Sequence, residues 1–322
     1  MQLAPTPKDT VQRDGTAQLY RFRAPATQPA IGGLPILLVP SLINRWYVLD
    51  LREGASLASA LAGTGLDTWC LDWGVPEDED RYLTWDEVLG RLGRAVRAVK
   101  RATGAPRVGL LGYCIGGTLS SIWAAQHPDD VAALVNLAGP IDFSEGGFLA
   151  HMTDPRWFDP AAISEAGNVS AEQMQAGFVA LRPTSQLAKW VAYADKAWDP
   201  VARNAFDALE AWASDNVPFP AAAYATYIKE LYQNNTLVKG EHRVGGVPVD
   251  LSKITCPVLT VVTDRDVICP PAAARALNDR CGSKDQQVLQ VSGGHVGAVV
   301  GGKAPTVLYP AIASWLGSKL CS

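Results

Sequence analysis

Histidine is scarce in this sequence, which has four histidines in 322 residues, and no two cysteines stand in a Cys-x-x-Cys pair. Zinc ligands in proteins are mostly clustered His and Cys side chains, so no metal site is expected. Long apolar runs are also missing, since none reaches the ~18–20 residues of a membrane-spanning helix. The first ten residues lack the apolar stretch of a signal peptide. We therefore expect a soluble, cytoplasmic chain without a transmembrane segment.

Positive charge is not in excess either. Lys and Arg number 28, Asp and Glu number 32, and the net charge is −4. Binding to nucleic acid through overall positive charge is therefore not expected. The sequence also has no Gly-x-x-x-x-Gly-Lys-Ser/Thr loop for nucleotide phosphates. The composition, 48% hydrophobic and 19% charged, is typical of a folded chain.

Short apolar segments alternate with helical segments at both ends of the chain. This alternation predicts an α/β fold with a mainly parallel sheet flanked by helices. Thr84 and Glu87 predict a capping box that begins one of the helices, and Gly104 is a natural end for it. The strands are predicted at 17–23, 35–40, 67–73, 107–113, 131–138, 257–263 and 287–291, and further helices at 56–62, 116–125, 272–277 and 304–316.

The alternation is interrupted between residues 144 and 249 by a stretch rich in Trp, Ala and Pro. We predict a core formed by residues 1–143 and 250–322 and a mainly helical cap formed by 144–249. Each tryptophan of the cap is expected to pack in its core rather than line a channel. The cap helices are predicted near 171–181, 187–194, 202–213 and 221–232.

The sequence Gly112-Tyr-Cys-Ile-Gly116 lies between an apolar strand and a helix of small residues. The pattern Gly-x-nucleophile-x-Gly is typical of a nucleophile elbow, and here Cys114 takes the nucleophile position. A helix N-terminus favours a thiolate there. In a chain with 29 glycines the pattern can arise by chance, but the strand–helix context favours the elbow. The other cysteines are expected to be mostly small buried side chains.

An acid and a base follow Cys114 along the chain. Asp264 and Asp266 come after one predicted strand, and His295 comes after the next, in a glycine-rich loop. The order nucleophile, acid, base is that of a catalytic triad in which the histidine is the general base. Spacing leaves both aspartates open as the orienting acid. The remaining histidines are expected at a helix end, at the start of the cap and in a polar turn, and they are His127, His151 and His242.

The chain resembles polyhydroxyalkanoate (poly-3-hydroxybutyrate) synthase catalytic subunits, in particular class III, the short type that works with a second subunit. This resemblance implies an α/β-hydrolase fold with a helical cap. The motifs that carry it are Val39-Pro-Ser-Leu-Ile-Asn-Arg45, Leu71-Asp-Trp-Gly-Val-Pro76, Gly112-Tyr-Cys-Ile-Gly-Gly117, Tyr232-Gln-Asn-Asn235, Val249-Asp-Leu251, Cys256-Pro-Val-Leu259, Asp266-Val-Ile-Cys-Pro-Pro271 and Gly293-Gly-His-Val296.

The resemblance favours Asp266 over Asp264, because the family places its catalytic aspartate directly before a His-hydrophobic-x-Pro stretch. Here Val267 stands where the family usually has that histidine. The resemblance further implies that Cys114 takes a 3-hydroxyacyl group from (R)-3-hydroxyacyl-CoA and releases CoA. In that role His295 deprotonates the thiol and then the incoming hydroxyl, while Asp266 orients the imidazole.

An oxyanion hole is expected from two backbone N–H groups. One belongs to Ile115, the residue after the nucleophile, and the other to the loop after the strand 35–40, at Ser41 or, as we prefer, Leu42. No cofactor is expected beyond the CoA thioester, which is the substrate. The family resemblance implies a growing polyester chain, a second synthase subunit and a second copy of the chain as partners, and a location at the surface of polyester granules.

Two other functions use the same fold. The first is a thioesterase or polyester depolymerase in which Cys114 passes its acyl group to water. The second is an inactive, granule-associated relative, which the intact set of Cys114, Asp266 and His295 argues against. The products, polymer or free hydroxy acid, distinguish a synthase from a hydrolase.

Overall fold

The computed structural model describes residues 2–25, 32–181, 185–195 and 197–321, and the side chains of 185–188 and 192 lie outside this description. The strands are β1 (Lys8–Asp14), β2 (Ala17–Phe22), β3 (Ile36–Val39), β4 (Asp50–Arg52), β5 (Ala55–Ser56), β6 (Thr68–Asp72), β7 (Val108–Tyr113), β8 (Val131–Leu137), β9 (Arg243–Val244), β10 (Val247–Pro248), β11 (Val258–Thr263) and β12 (Gln286–Val291).

Helices of three kinds connect these strands. The α-helices are α1 (Leu57–Gly63), α2 (Trp85–Thr103), α3 (Ile115–Gln126), α4 (Phe148–Met152), α5 (Pro160–Ser164), α6 (Ala171–Leu181), α7 (Ser185–Ala194), α8 (Pro200–Ser214), α9 (Ala221–Thr226), α10 (Thr236–Lys239), α11 (Pro271–Arg280), α12 (Gly297–Val300) and α13 (Tyr309–Leu320). Short 3-10 helices span Trp46–Leu49, Asp78–Tyr82, Pro128–Asp130, Phe143–Glu145 and Leu251–Lys253, and π-helical segments span Tyr227–Gln233 and Ala304–Leu308.

A central sheet of eight strands runs through the described chain in the order β1-β2-β6-β3-β7-β8-β11-β12. The strands β6, β3, β7, β8, β11 and β12 of this sheet are parallel, whereas β1 and β2 join antiparallel at one edge. Every residue of β3, β6, β7, β8 and β11 is buried, as expected for strands with helices on both faces. The predicted mainly parallel sheet flanked by helices is therefore confirmed.

The N-terminal part is more regular than the sequence indicates. We expected one strand near 17–23, but β1 and β2 form an antiparallel hairpin. All side chains of β1 are partly or fully exposed. An edge strand of this kind has no buried face, so it lacks the apolar alternation by which strands are recognised.

Helix α2 begins and ends as predicted. Thr84 Oγ1 accepts a hydrogen bond from the backbone N–H of Glu87, whose carboxylate accepts one from the backbone N–H of Thr84. Gly104 follows the helix in a left-handed conformation with φ +71°, which glycine adopts without a steric penalty. Three of the five basic side chains of α2 form ion pairs, which are Arg91 with Asp80, Arg94 with Asp14 and Lys100 with Asp130.

Residues 144–249, the predicted cap, contain helices α4 to α10, the π-helical segment Tyr227–Gln233 and a hairpin of β9 with β10. The prediction for its tryptophans is wrong for three of the four. Trp212 is buried, but among the described side chains Trp157, Trp190 and Trp198 are 52, 52 and 82% exposed. Hydrophobicity alone does not distinguish a buried face of a short helix from an exposed one. None of the described helices has the length and apolar character needed to cross a bilayer.

The capping box of α2 can be tested by substitution. We expect Thr84→Ala to lower the free energy of unfolding by about 1 kcal/mol, because one N-terminal N–H loses its acceptor. Urea unfolding followed by circular dichroism measures this change. Thr84→Ser keeps the hydroxyl and should unfold within a few tenths of a kcal/mol of the wild type. Equal losses in both variants would contradict the capping role.

Candidate active site

Cys114 lies at the turn between β7 and α3 in a conformation that side chains rarely adopt, with φ +56°. A Cβ atom at Gly112 would lie 2.2 Å from the Gly116 carbonyl oxygen, and one at Gly116 would lie 1.9 Å from the Val39 carbonyl oxygen. Both contacts are shorter than any side chain tolerates. The glycines of the elbow are therefore required because strand, turn and helix backbones touch at this point.

The other two predicted residues meet at the same edge of the sheet. Asp266 follows β11 and His295 follows β12, and the carboxyl ends of these parallel strands lie at the same edge of the sheet as that of β7, with β8 between β7 and β11. His295 Nδ1 lies 2.8 Å from Asp266 Oδ2, and both side chains are buried. The structure thus brings Asp266 and His295 into contact at the strand ends where Cys114 stands.

Asp266 is held by further hydrogen bonds. Its Oδ2 accepts one from Thr263 Oγ1 at 2.9 Å. Its Oδ1 accepts two from the backbone N–H groups of Ile268 and Cys269, each at 2.9 Å. Burial acts to raise the pKa of Asp266, but these bonds and His295 hold it below its usual value. The carboxylate is therefore kept ionised and oriented toward the imidazole.

Asp264, the alternative acid, has a different environment. Its Oδ1 accepts a hydrogen bond from the backbone N–H of Gly293 at 2.8 Å and lies 3.5 Å from Arg265 Nε. That backbone bond is the main reason why the pKa of Asp264 is lowered. Asp264 is exposed and braces the loop that carries His295. Asp266, and not Asp264, contacts the imidazole, while the catalytic roles of the residues stay predictions.

The charge state of His295 follows from its neighbours. Burial acts to lower its pKa, but the negative charge of Cys114 and the hydrogen bond with Asp266 outweigh burial and raise the pKa to about 10. Within the described part of the chain, the buried Nε2 atom makes no hydrogen bond of standard geometry, while the neighbouring Cys114 side chain interacts with the imidazole and contributes to its raised pKa. Nε2 is thus the ring atom left available for a thiol or a bound substrate.

Tyr113 is a residue that sequence analysis missed. Its ring stacks on the His295 imidazole with centroids 5.2 Å apart, and its hydroxyl donates to the His295 carbonyl at 3.3 Å. It occupies a variable position of the elbow pattern, so no signal marks it. Its contact helps to fix the orientation of the imidazole.

The loop after β3 lies against the start of α3. A Cβ atom at Gly116 would lie 2.7 Å from the Pro40 carbonyl oxygen, and Ile115 is the first residue of the helix. Ser41 and Leu42 are both buried in this loop, and the Ser41 hydroxyl accepts a weak bond from the Ile43 N–H at 3.4 Å. The function of the Ile115 and Leu42 N–H groups as an oxyanion hole stays a prediction.

Cys114 opens into an apolar cavity of about 330 Å³ that lies between the sheet edge and the cap. Ile115 and Ile268 line its floor, and side chains from α4, α6, α9 and the π-helical segment line its walls and roof. The exposed lining residues on α5 and α6 mark its mouth, and they are Ile163, Gln173 and Ala176. A cavity of this size with a mainly apolar lining is typical of a small-molecule binding site.

The roof of the cavity includes two tyrosines that sequence analysis did not select. Tyr227 and Tyr232 lie on the π-helical segment with ring centroids 5.5 Å apart. Burial raises the pKa of both phenols, and the negative charge of Cys114 raises that of Tyr232 further. Both hydroxyls are therefore neutral groups close to the nucleophile. In the described residues, no cluster of three or more His, Cys, Asp or Glu side chains could hold a metal ion.

The raised pKa of His295 gives a testable pH dependence. Its ordinary value is 6.5 and its folded value is about 10, so the proton stabilises the fold below pH 6.5 and this contribution is lost as the pH rises toward 10. We expect the wild-type free energy of unfolding to fall across this range by about 1–3 kcal/mol more than that of His295→Gln. Urea unfolding at several pH values measures both slopes, and equal slopes would contradict the raised pKa.

Comparison with solved structures shows the fold. A hydrolase from Pseudomonas aeruginosa matches with a TM-score of 0.58 and 16% identity over 96% of this chain and 98% of its own. A monoacylglycerol lipase from Paleococcus ferrophilus matches with a TM-score of 0.55 and 17% identity over 94% and 99%. The family model of the alpha/beta hydrolase fold matches residues 35–301. The predicted α/β-hydrolase fold is therefore confirmed.

Comparison with related sequences identifies the family, where the solved structures show the fold alone. The family model of the poly-beta-hydroxybutyrate polymerase (PhaC) N-terminus matches residues 1–61. The poly(3-hydroxyalkanoate) polymerase subunit PhaC of Allochromatium vinosum is 36% identical over 98% of this chain and 89% of the relative. That of Synechocystis sp. is 33% identical over 99% and 86%. The predicted family resemblance is confirmed, and the chain belongs to the poly(3-hydroxyalkanoate) polymerase family PhaC.

Proposed function

We propose that this chain polymerises (R)-3-hydroxyacyl-CoA through an acyl thioester on Cys114 and releases CoA. The observation that carries this proposal is the pairing of an elbow cysteine with the His295–Asp266 pair at the floor of an apolar cavity, in a chain of the polymerase family. The thioester of the substrate already carries the activated acyl group that the reaction transfers. No resident cofactor enters the reaction.

The first half-reaction transfers the acyl group to the enzyme. The Cys114 thiolate attacks the thioester carbonyl, and the N–H groups of Ile115 and Leu42 stabilise the oxyanion. A C–S bond to Cys114 forms, the C–S bond to CoA breaks, and the CoA sulfur leaves with the proton held by His295. The raised pKa of His295 suits this step, because a protonated imidazole beside the sulfur stabilises the thiolate.

The second half-reaction extends the polyester. His295 accepts the proton of an incoming 3-hydroxyl group, whose oxygen attacks the acyl-Cys114 carbonyl. An ester bond forms, and the C–S bond breaks to return the Cys114 thiolate. Asp266 stabilises the imidazolium in both steps. The apolar walls favour an alcohol over water, which is polar and small.

A hydrolase remains the alternative function because its chemistry needs the same residues. Water in place of the hydroxyl group would release a free hydroxy acid, and the α/β-hydrolase fold hosts many such enzymes. The intact contact between Asp266 and His295 supports an active enzyme over an inactive relative. Product analysis separates the two active candidates.

We also propose that this chain works with a second synthase subunit and forms a homodimer. We further propose that it is located at the surface of polyester granules. The word subunit in the names of the PhaC relatives supports a second chain. The described part of the cap also exposes the side chains of Trp157, Trp190 and Trp198, which an apolar partner surface would cover.

The main test measures release of CoA from (R)-3-hydroxybutyryl-CoA by the purified chain, together with the weight of insoluble product. We expect CoA release with polymer, and a loss of at least about 10³-fold in Cys114→Ala, because no other group takes the acyl chain. CoA release with free 3-hydroxybutyrate alone would assign a hydrolase. Release that persists unchanged in Cys114→Ala would contradict the proposal.

The two neighbouring aspartates give a matched pair of variants. We expect Asp266→Asn to lower the rate of CoA release by about 10²–10⁴-fold, since the amide cannot stabilise the imidazolium. Asp264→Asn keeps its hydrogen-bond acceptor for Gly293 and should stay within a few-fold of the wild type. Circular dichroism checks that both variants fold. A larger loss in Asp264→Asn would transfer the role of the acid to Asp264.

A further inference from the structure

Three consecutive hydrogen bonds join helix α2 of the core to the cap, away from the reacting atoms. Trp85 Nε1 donates to His242 Nε2 at 3.2 Å. His242 Nδ1 lies 3.2 Å from Thr236 Oγ1, and that hydroxyl donates to the Glu230 carbonyl oxygen at 2.9 Å. His242 was expected in a polar turn, but it is 1% exposed. No part of the proposed reaction uses these residues directly.

The position of each hydrogen atom in this series of hydrogen bonds follows from which groups can donate and which can only accept. An indole N–H can only donate, so His242 Nε2 must accept. A carbonyl oxygen can only accept, so the Thr236 hydrogen is committed to Glu230. His242 Nδ1 must then carry a hydrogen and donate it to Thr236. The imidazole is therefore neutral, in a single tautomer, with both nitrogens satisfied.

The chain of bonds ends on the π-helical segment Tyr227–Gln233, to which Glu230 belongs. The same Trp85 ring packs on the Tyr227 ring with centroids 5.5 Å apart. One side chain of α2 thus holds the segment at two places, once by ring contact and once through His242 and Thr236. Tyr227 and Tyr232 line the cavity above Cys114. Single π-helical turns are frequent at functional sites.

We propose that His242 and Thr236 are positioning residues that hold the π-helical segment, and with it the roof of the cavity, closed over Cys114. This inference rests on the proposed function, in which the roof keeps water from the acyl thioester. The two residues act through the segment and touch neither the thiol nor the imidazole of His295.

The electrostatic surroundings keep this chain of bonds intact near neutral pH. Burial lowers the pKa of His242 to about 4, although the negative charge of Asp86 acts in the opposite direction. Asp86 is itself bound, because its carboxylate accepts a hydrogen bond from the Gly245 N–H at 2.9 Å. Protonation at Nε2 would set two N–H donors against each other across the Trp85 contact. Above the lowered pKa the ring is neutral and accepts the indole bond.

The test uses Thr236→Val, which keeps the shape of the side chain and removes its hydroxyl. The readout is the rate at which iodoacetamide alkylates the Cys114 sulfur, followed on the peptide that contains Cys114 by mass spectrometry. The sulfur forms a bond to the reagent carbon and iodide leaves. We expect alkylation about tenfold faster than in the wild type, because unpaired buried groups favour local opening.

Two variants control this experiment. Thr236→Ser retains the hydroxyl and should react at the wild-type rate. Thr226→Val removes a hydroxyl that donates to the Ala222 carbonyl at 3.2 Å on the preceding α9, outside the chain of bonds, and should also react at the wild-type rate. An equal rate in Thr236→Val and Thr226→Val overturns the inference.

Substitution of the histidine gives a second, independent measurement. His242→Gln offers an amide oxygen to Trp85 and an amide N–H to Thr236, so it should stay close to the wild-type rate of alkylation. His242→Leu offers neither and should match Thr236→Val. Equal rates in the glutamine and leucine variants contradict the inference. Alkylation needs no substrate, so failure of the proposed function, seen as absent CoA release by the wild type, is a separate result.

Discussion

The steric contact between backbones at the elbow is the constraint on which the site depends. Cys114 can hold φ +56° only because Gly112 and Gly116 let β7, β3 and the first turn of α3 meet without side chains between them. This close approach places the sulfur at a helix N-terminus and above the edge of the sheet. It also brings the loop after β3 against the start of α3, where we propose that two N–H groups serve one oxyanion. A substituent of one methyl group at either glycine would separate these parts.

The sheet edge supplies the second requirement, which is a buried charged pair. Asp266 loses water on burial, and four hydrogen bonds from His295, Thr263, Ile268 and Cys269 replace that solvation. The imidazole gains from its carboxylate and from the nearby sulfur, which together keep it protonated. Removal of one member leaves the others uncompensated in a low dielectric. The site thus acts as a single electrostatic unit.

The cap forms the surroundings of the Cys114 sulfur. Its short helices enclose an apolar cavity over the sulfur, and the π-helical segment contributes the tyrosines of the roof. This segment is held from the core side by Trp85, through Tyr227 and through His242 and Thr236. Core and cap are therefore linked by specific contacts between named side chains.

The sequence by itself determined the strand–helix order, the N-terminal capping residue Thr84 of α2, the elbow at Cys114 and the positions of the acid and base after two later strands. These features depend on neighbouring residues, because local sterics and apolar periodicity act over a few positions. Spacing left Asp264 and Asp266 open, and only the tertiary structure brings Asp266 to His295. The exposure of Trp157, the burial of His242 and the cavity itself were likewise decided by tertiary structure. Each depends on contacts between segments far apart in the chain, which no local pattern records.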